Sequence, residues 1–112
     1  MPKIIVAFIV SLLCISANAD AEKYCFNAMK LSEAVMTSRQ YGGSMENALS
    51  VRDKAFQQSK DESARFVHTE IILEAYDKPM YSTERYKQME IKEFAADNYV
   101  ECIKGMRMFE SR

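Results

Sequence analysis

The apolar run near the N-terminus constrains this chain most, because it decides which cysteines the folded protein keeps. Residues 4–15 carry no charge and one serine, and Lys3 precedes them. The next four residues, SANA, end in the A-x-A pattern that signal peptidase reads. A membrane span needs about 20 apolar residues, and this run is shorter. We therefore predict a cleaved signal peptide at 1–19 and a single helical domain at 20–112.

Removal of the signal peptide leaves two cysteines. Cys14 lies inside the apolar run, after Leu13 rather than the small residue that usually precedes a lipid-attached cysteine. Cys25 and Cys102 remain, and in an exported protein they have a single pairing. The alternatives are free thiols or a shared metal, but structural zinc takes four ligands and the chain has one histidine, His68. The sequence predicts a Cys25–Cys102 disulfide and no metal or cofactor site.

Composition limits the classes of function. Without Lys3, the chain contains fourteen Lys and Arg and sixteen Asp and Glu, which gives a net charge of −2. Residues of both signs are interspersed along the chain. No basic patch indicates a nucleic-acid partner, and no long apolar run after the signal indicates a membrane span. Nothing in the sequence addresses the oligomeric state. The chain holds only three glycines and two prolines, which favours helices joined by few turns.

Apolar residues recur at helical spacing in four stretches. Gly42-Gly43, the segment 59–61 and Pro79 separate them, and Gly105 is predicted to end the last. The expected helices are 21–39, 45–58, 62–76 and 83–104. Ser44, Ser59 or Asp61, and Ser82 or Thr83 are the expected caps. We predict an all-α fold, a compact four-helix bundle whose disulfide joins the first and last helices.

No catalytic motif is present, so no catalytic residue is predicted. His68 could act as a general base or a pH sensor, but its apolar neighbours Val67 and Ile71 favour a partly buried histidine hydrogen-bonded to a neighbour. Carboxylates such as Glu70 and Glu74 alternate with lysines and arginines, as on a solvated helical face.

Aromatic residues cluster at the two marked turns. Tyrosines with a polar tip are enriched at binding surfaces, although here they could also cover the end of the core. The interpretation as a binding surface rests on the turn 40–44 and the segment 76–86. Its candidate residues are Gln40, Tyr41, Ser44, Tyr76, Met80, Tyr81 and Tyr86.

Three local patterns resemble uncharacterised small secreted proteins of phages, prophages and their bacterial hosts. They are Arg39-Gln40-Tyr41-Gly42 with Ser44-Met45, then Ala75-Tyr76 with Pro79, Tyr81 and Ser82, and finally Phe94 with Tyr99 and Cys102. The resemblance implies a bacterial or phage origin and a periplasmic localisation. It implies no activity and no site residue for this chain.

These observations lead to one expected function and two alternatives. We expect a periplasmic or secreted, non-catalytic binding or modulator protein that acts on an envelope protein. The alternatives are a periplasmic chaperone that opens under acid stress and a small hydrolase that uses His68.

Overall fold

A computed structural model describes the backbone of residues 2–110 and the side chains of residues 19–108. It contains four helices, α1 (Pro2–Gln40), α2 (Met45–Ser59), α3 (Glu62–Asp77) and α4 (Glu84–Glu110), and the described chain contains no strand. The all-α prediction is therefore confirmed. The side chains of the predicted apolar run and Cys14 lie outside the described residues, so the signal peptide stays a prediction. None of the helices, as far as they are described, is long and apolar enough to cross a membrane.

Side-chain caps set where α2, α3 and α4 begin. The Ser44 hydroxyl accepts the Asn47 N–H at 3.0 Å, and the Asp61 carboxylate accepts the Ala64 N–H at 3.1 Å. The Thr83 hydroxyl accepts the N–H of Tyr86 at 3.4 Å. Each cap satisfies a backbone donor that a helix start leaves unpaired, a contribution of about 1 kcal/mol.

Glycine acts differently at the ends of α1 and α4. Gly42 has φ +90°, and a Cβ on Gly43 would lie 2.0 Å from the Ser38 hydroxyl oxygen, so both positions of this turn require glycine. Gly105, in contrast, lies inside α4, and the predicted helix end there is wrong. The residues after it, 106–108, are good helix formers, so the helix continues at a cost of about 1 kcal/mol for the glycine.

The core forms between α1, α3 and α4. α1 packs against both α4 and α3, whereas α2 packs mainly on α3 and touches α1 little. The buried cluster is made of Val35, Met36, Ile71, Ile72, Ala75, Ile91 and Phe94. α2 buries no side chain and contributes half-buried Ala48 and Leu49.

A disulfide joins Cys25 of α1 to Cys102 of α4, with Cα atoms 5.5 Å apart. The predicted link between the first and last helices is confirmed. Next to it in the same interface, buried Ser32 donates to the Ala28 carbonyl and accepts from the Asn98 amide at 2.9 Å. This polar pair is satisfied within the α1–α4 contact, as buried polar groups require.

Candidate binding surface at the two turns

Gln40, the last residue of α1, holds the α3–α4 connection. Its side chain is fully buried. The amide nitrogen donates to the Pro79 carbonyl at 2.9 Å, and the amide oxygen accepts the Tyr81 N–H at 2.9 Å. Its backbone carbonyl also accepts from the Lys87 ammonium. One glutamine therefore satisfies both backbone groups that flank Met80.

Arg39 and Tyr76 also tie the two turns together. Arg39 donates through Nε and Nη2 to the Lys78 carbonyl, at 3.2 and 3.1 Å, and its guanidinium lies 5.4 Å from the centre of the Tyr76 ring. The Tyr76 hydroxyl donates to the Gly43 carbonyl at 2.7 Å. The two turns therefore form one hydrogen-bonded unit, which we call the turn end (residues 39–44 and 76–88).

Tyr41 is exposed but fixed in orientation. Its hydroxyl donates to the Glu84 carboxylate, and the Gln88 amide donates to both partners, at 3.0 and 3.2 Å. The Lys87 ammonium lies 5.4 Å from the centre of the Tyr41 ring. The hydrogen bond between them raises the pKa of Tyr41 and lowers the pKa of Glu84. At neutral pH the pair is therefore a phenol bound to a carboxylate.

A second aromatic pair lies on the α3–α4 connection. The Tyr81 and Tyr86 rings meet at 5.9 Å between centres, tilted by 40°. Tyr81 is half-buried, whereas Tyr86 is 53% exposed and neighbouring Met80 is 50% exposed. Tyr41 is 51% exposed. Three large side chains at the turn end thus face solvent.

The predicted surface residues therefore divide into two groups. Tyr41, Met80 and Tyr86 are exposed, and their suitability for contact stays a prediction. The others serve the fold: Gln40 is buried beneath the surface, the Tyr76 hydroxyl donates to the Gly43 carbonyl, and exposed Ser44 uses its hydroxyl to cap α2. Tyr81 is half-buried and packs against Tyr86.

Sequence reasoning missed four supporting residues, Arg39, Glu84, Lys87 and Gln88. Glu84, Lys87 and Gln88 share one face of the first turns of α4, a spacing visible in the sequence. Nothing in the sequence indicated that this face would meet Tyr41, 43 positions before Glu84.

His68 lies in the interior of the fold, 8% exposed. It borders a cavity of about 130 Å³ between α1, α2 and α3, lined otherwise by Leu31, Ala34, Val35, Ser38, Asn47, Ala48 and Val51. Burial lowers the pKa of His68, and the charge of Arg52 lowers it further. The residues lining the cavity include no carboxylate and no thiol. The hydrogen bond expected for His68 stays a prediction, and among the described residues no buried side-chain nitrogen or oxygen lacks a partner.

Comparisons of the chain with models of protein families, with curated proteins and with solved structures gave no match. Within the described residues, no group of three or more His, Cys, Asp or Glu side chains is arranged to hold a metal ion.

Proposed function

We propose that this protein is an exported, non-catalytic binding protein that acts on an envelope protein through the turn end. The observation that carries the proposal is the exposure of Tyr41, Met80 and Tyr86 above turns whose polar groups are bonded internally. A partner that binds this surface buries large side chains. It does not have to supply hydrogen bonds to the backbone of the turns, because those groups are already bonded within the protein.

The composition of the surface supports this proposal. Tyrosine and methionine are enriched at protein interfaces, and tyrosine often contributes most to affinity. Tyr41 is already held by Glu84 and Gln88, and Tyr86 by its contact with Tyr81. Side chains fixed before binding lose less conformational entropy in the complex, which increases affinity.

The disulfide supports the proposed localisation outside the cytosol. Persistent disulfides are typical of exported proteins and rare in the cytosol. The Cys25–Cys102 bond agrees with the signal peptide predicted at 1–19 and with the periplasmic origin that the resemblance implies. The expected partner is therefore a protein of the cell envelope.

Site-specific photocrosslinking in cells tests this function. A photoreactive amino acid replaces Tyr41 or Tyr86 in the full-length chain, and Phe26, 47% exposed on α1, provides the control position. We expect a discrete adduct with the same envelope protein from positions 41 and 86 and not from 26. Equal adducts at all three positions, or none at 41 and 86, would contradict the proposed surface.

A further inference from the structure

A second surface lies between α3 and α4, and none of the residues lining it belongs to the turn end. Both helices pack against α1, yet their backbones make little contact with each other. Near their connection the core side chains Ile72, Ala75, Ile91 and Phe94 fill the space between them. Further from the connection a groove of about 270 Å³ opens, which we call the α3–α4 groove.

The floor and lower walls of the α3–α4 groove are apolar. Tyr24 and Ala28 of α1 form its floor, and Phe66 and Ile71 line it from α3. Phe66 is 66% exposed and Tyr24 is 38% exposed, so neither is covered by the fold. Exposed apolar side chains that lie together in a concave site form a surface that a partner can cover.

Carboxylates line the rims on both sides. Glu70 and Glu74 lie one turn apart on α3, and Glu101 faces them from α4. Asp97, one turn before Glu101, lines an adjoining space of about 640 Å³ together with Glu74, Glu101 and Lys104. Among the described residues, none of these four carboxylates forms an ion pair.

The α3 wall is long enough to contact another helix over about two turns. From Phe66 to Glu74 the α3 wall runs for about 12 Å, or roughly two turns. A helix placed over α1 between α3 and α4 would pack on the apolar floor, while residues on its flanks would face the two acidic rims. Such helix-in-groove binding selects partners by an apolar stripe and by the charges beside it.

We infer that the α3–α4 groove binds a cationic amphipathic helix of another protein, with an apolar stripe on Tyr24 and Phe66 and lysines or arginines opposite Glu70, Glu74, Asp97 and Glu101. The unpaired carboxylates on two walls specify the charge of the occupant, and the apolar floor specifies its amphipathic character. This site is separate from the turn end and does not depend on the function proposed for it.

Peptide binding to the full-length, oxidised protein tests the inference. The probe is a synthetic helix with leucines along one face and lysines on both flanks. The control peptide carries glutamates in place of the lysines. We expect the cationic helix to bind, measured by fluorescence anisotropy, and its affinity to fall as salt is raised, because salt screens exposed charges. If the cationic peptide does not bind, or if the control peptide binds equally well, the inference is overturned.

Matched variants locate the site. In Glu70→Gln/Glu101→Gln we expect the dissociation constant to rise about tenfold at low salt. The control, Glu33→Gln/Glu93→Gln, removes two exposed carboxylates from α1 and α4 outside the groove and should leave binding unchanged. Tyr41→Ala/Tyr86→Ala should also leave it unchanged, which separates this site from the turn end.

Phe66→Ala tests the apolar lining of the α3 wall, and circular dichroism confirms that each variant is folded. We expect the cationic helix to bind this variant more weakly as well. Unchanged binding in both groove variants would overturn the inference. So would a dimer in light scattering that excludes the peptide and dissociates on Phe66→Ala, because a second copy of the chain would then occupy the groove.

Discussion

At the scale of single residues, Gln40 shows what the sequence does not reveal. A glutamine at the end of a helix, before Tyr-Gly-Gly, looks like a solvent-exposed residue of a turn. In the structure it is completely buried and bonded to Pro79 and Tyr81, about 40 positions later. Hydrophobic periodicity detects apolar residues that face a core, but a polar side chain bonded to a distant backbone leaves no periodic signal.

Replacing Gln40 with alanine should destabilise the protein by about 2 to 4 kcal/mol. The substitution leaves the Pro79 carbonyl and the Tyr81 N–H without their partner, and an unsatisfied buried polar group costs about 1 to 3 kcal/mol. Urea unfolding monitored by circular dichroism measures the change. Gln88→Ala, which removes an exposed amide, should cost less than about 0.5 kcal/mol, and an equal loss in both variants would show that Gln40 has no special role.

At the scale of the helices, the sequence predicted the starts of α2, α3 and α4, whereas α1 begins at Pro2 rather than at 21 and α4 continues past Gly105. Ser44, Asp61 and Thr83 begin their helices as expected, because capping depends on residues close in sequence. The apolar stripes of α1, α3 and α4 likewise form the core. The position of α2, which lies on α3 with no buried side chain, depends on distances between helices that residue patterns do not encode.

His68, at the junction of α1, α2 and α3, should make stability depend on pH. Its pKa is lowered in the folded state, so the unfolded chain binds a proton at a higher pH than the folded chain does. Its contribution is therefore fully present above the unfolded pKa, about 6.5, and is lost as the pH falls through the lower folded pKa. Arg52 of α2 is the charge that adds to this effect.

Unfolding free energies of the wild type and His68→Gln, measured from pH 7.5 downward, test this prediction. We expect a smaller acid-induced loss in the variant than in the wild type, whatever the variant's stability at neutral pH. Binding of a hydrophobic dye over the same range reports whether the helices separate, as expected for an acid-opened chaperone. Parallel stability curves for the two proteins would assign the acid response to other groups.

At the scale of the whole molecule, the disulfide was the most predictable feature, and the α3–α4 groove was not predicted. The disulfide follows from a count, since two cysteines outside the predicted signal peptide have one pairing. The groove follows from the separation of two helices that share α1 as a neighbour. The spacing of Glu70 and Glu74 predicts an ordinary solvated face, because the sequence does not show which helix lies opposite.

Removing the disulfide should lower the free energy of unfolding by up to about 4.5 kcal/mol. The chain-entropy model gives this value for a bond between residues 77 positions apart. Guanidinium unfolding of the oxidised protein and of Cys25→Ser/Cys102→Ser measures the difference. A reducing agent should lower the stability of the wild type and leave the variant unchanged, whereas equal stability of the oxidised protein and the variant would show that the bond contributes little.

The same bond also changes how the protein responds to cleavage by a protease. It closes a covalent ring from Cys25 to Cys102 that contains the turn end and most of the α3–α4 groove. A single nick in an exposed connection, such as the one after Ser59, opens the ring without releasing a fragment. Both parts of the chain stay tethered, so the helices that carry the two surfaces remain available to re-associate after such damage.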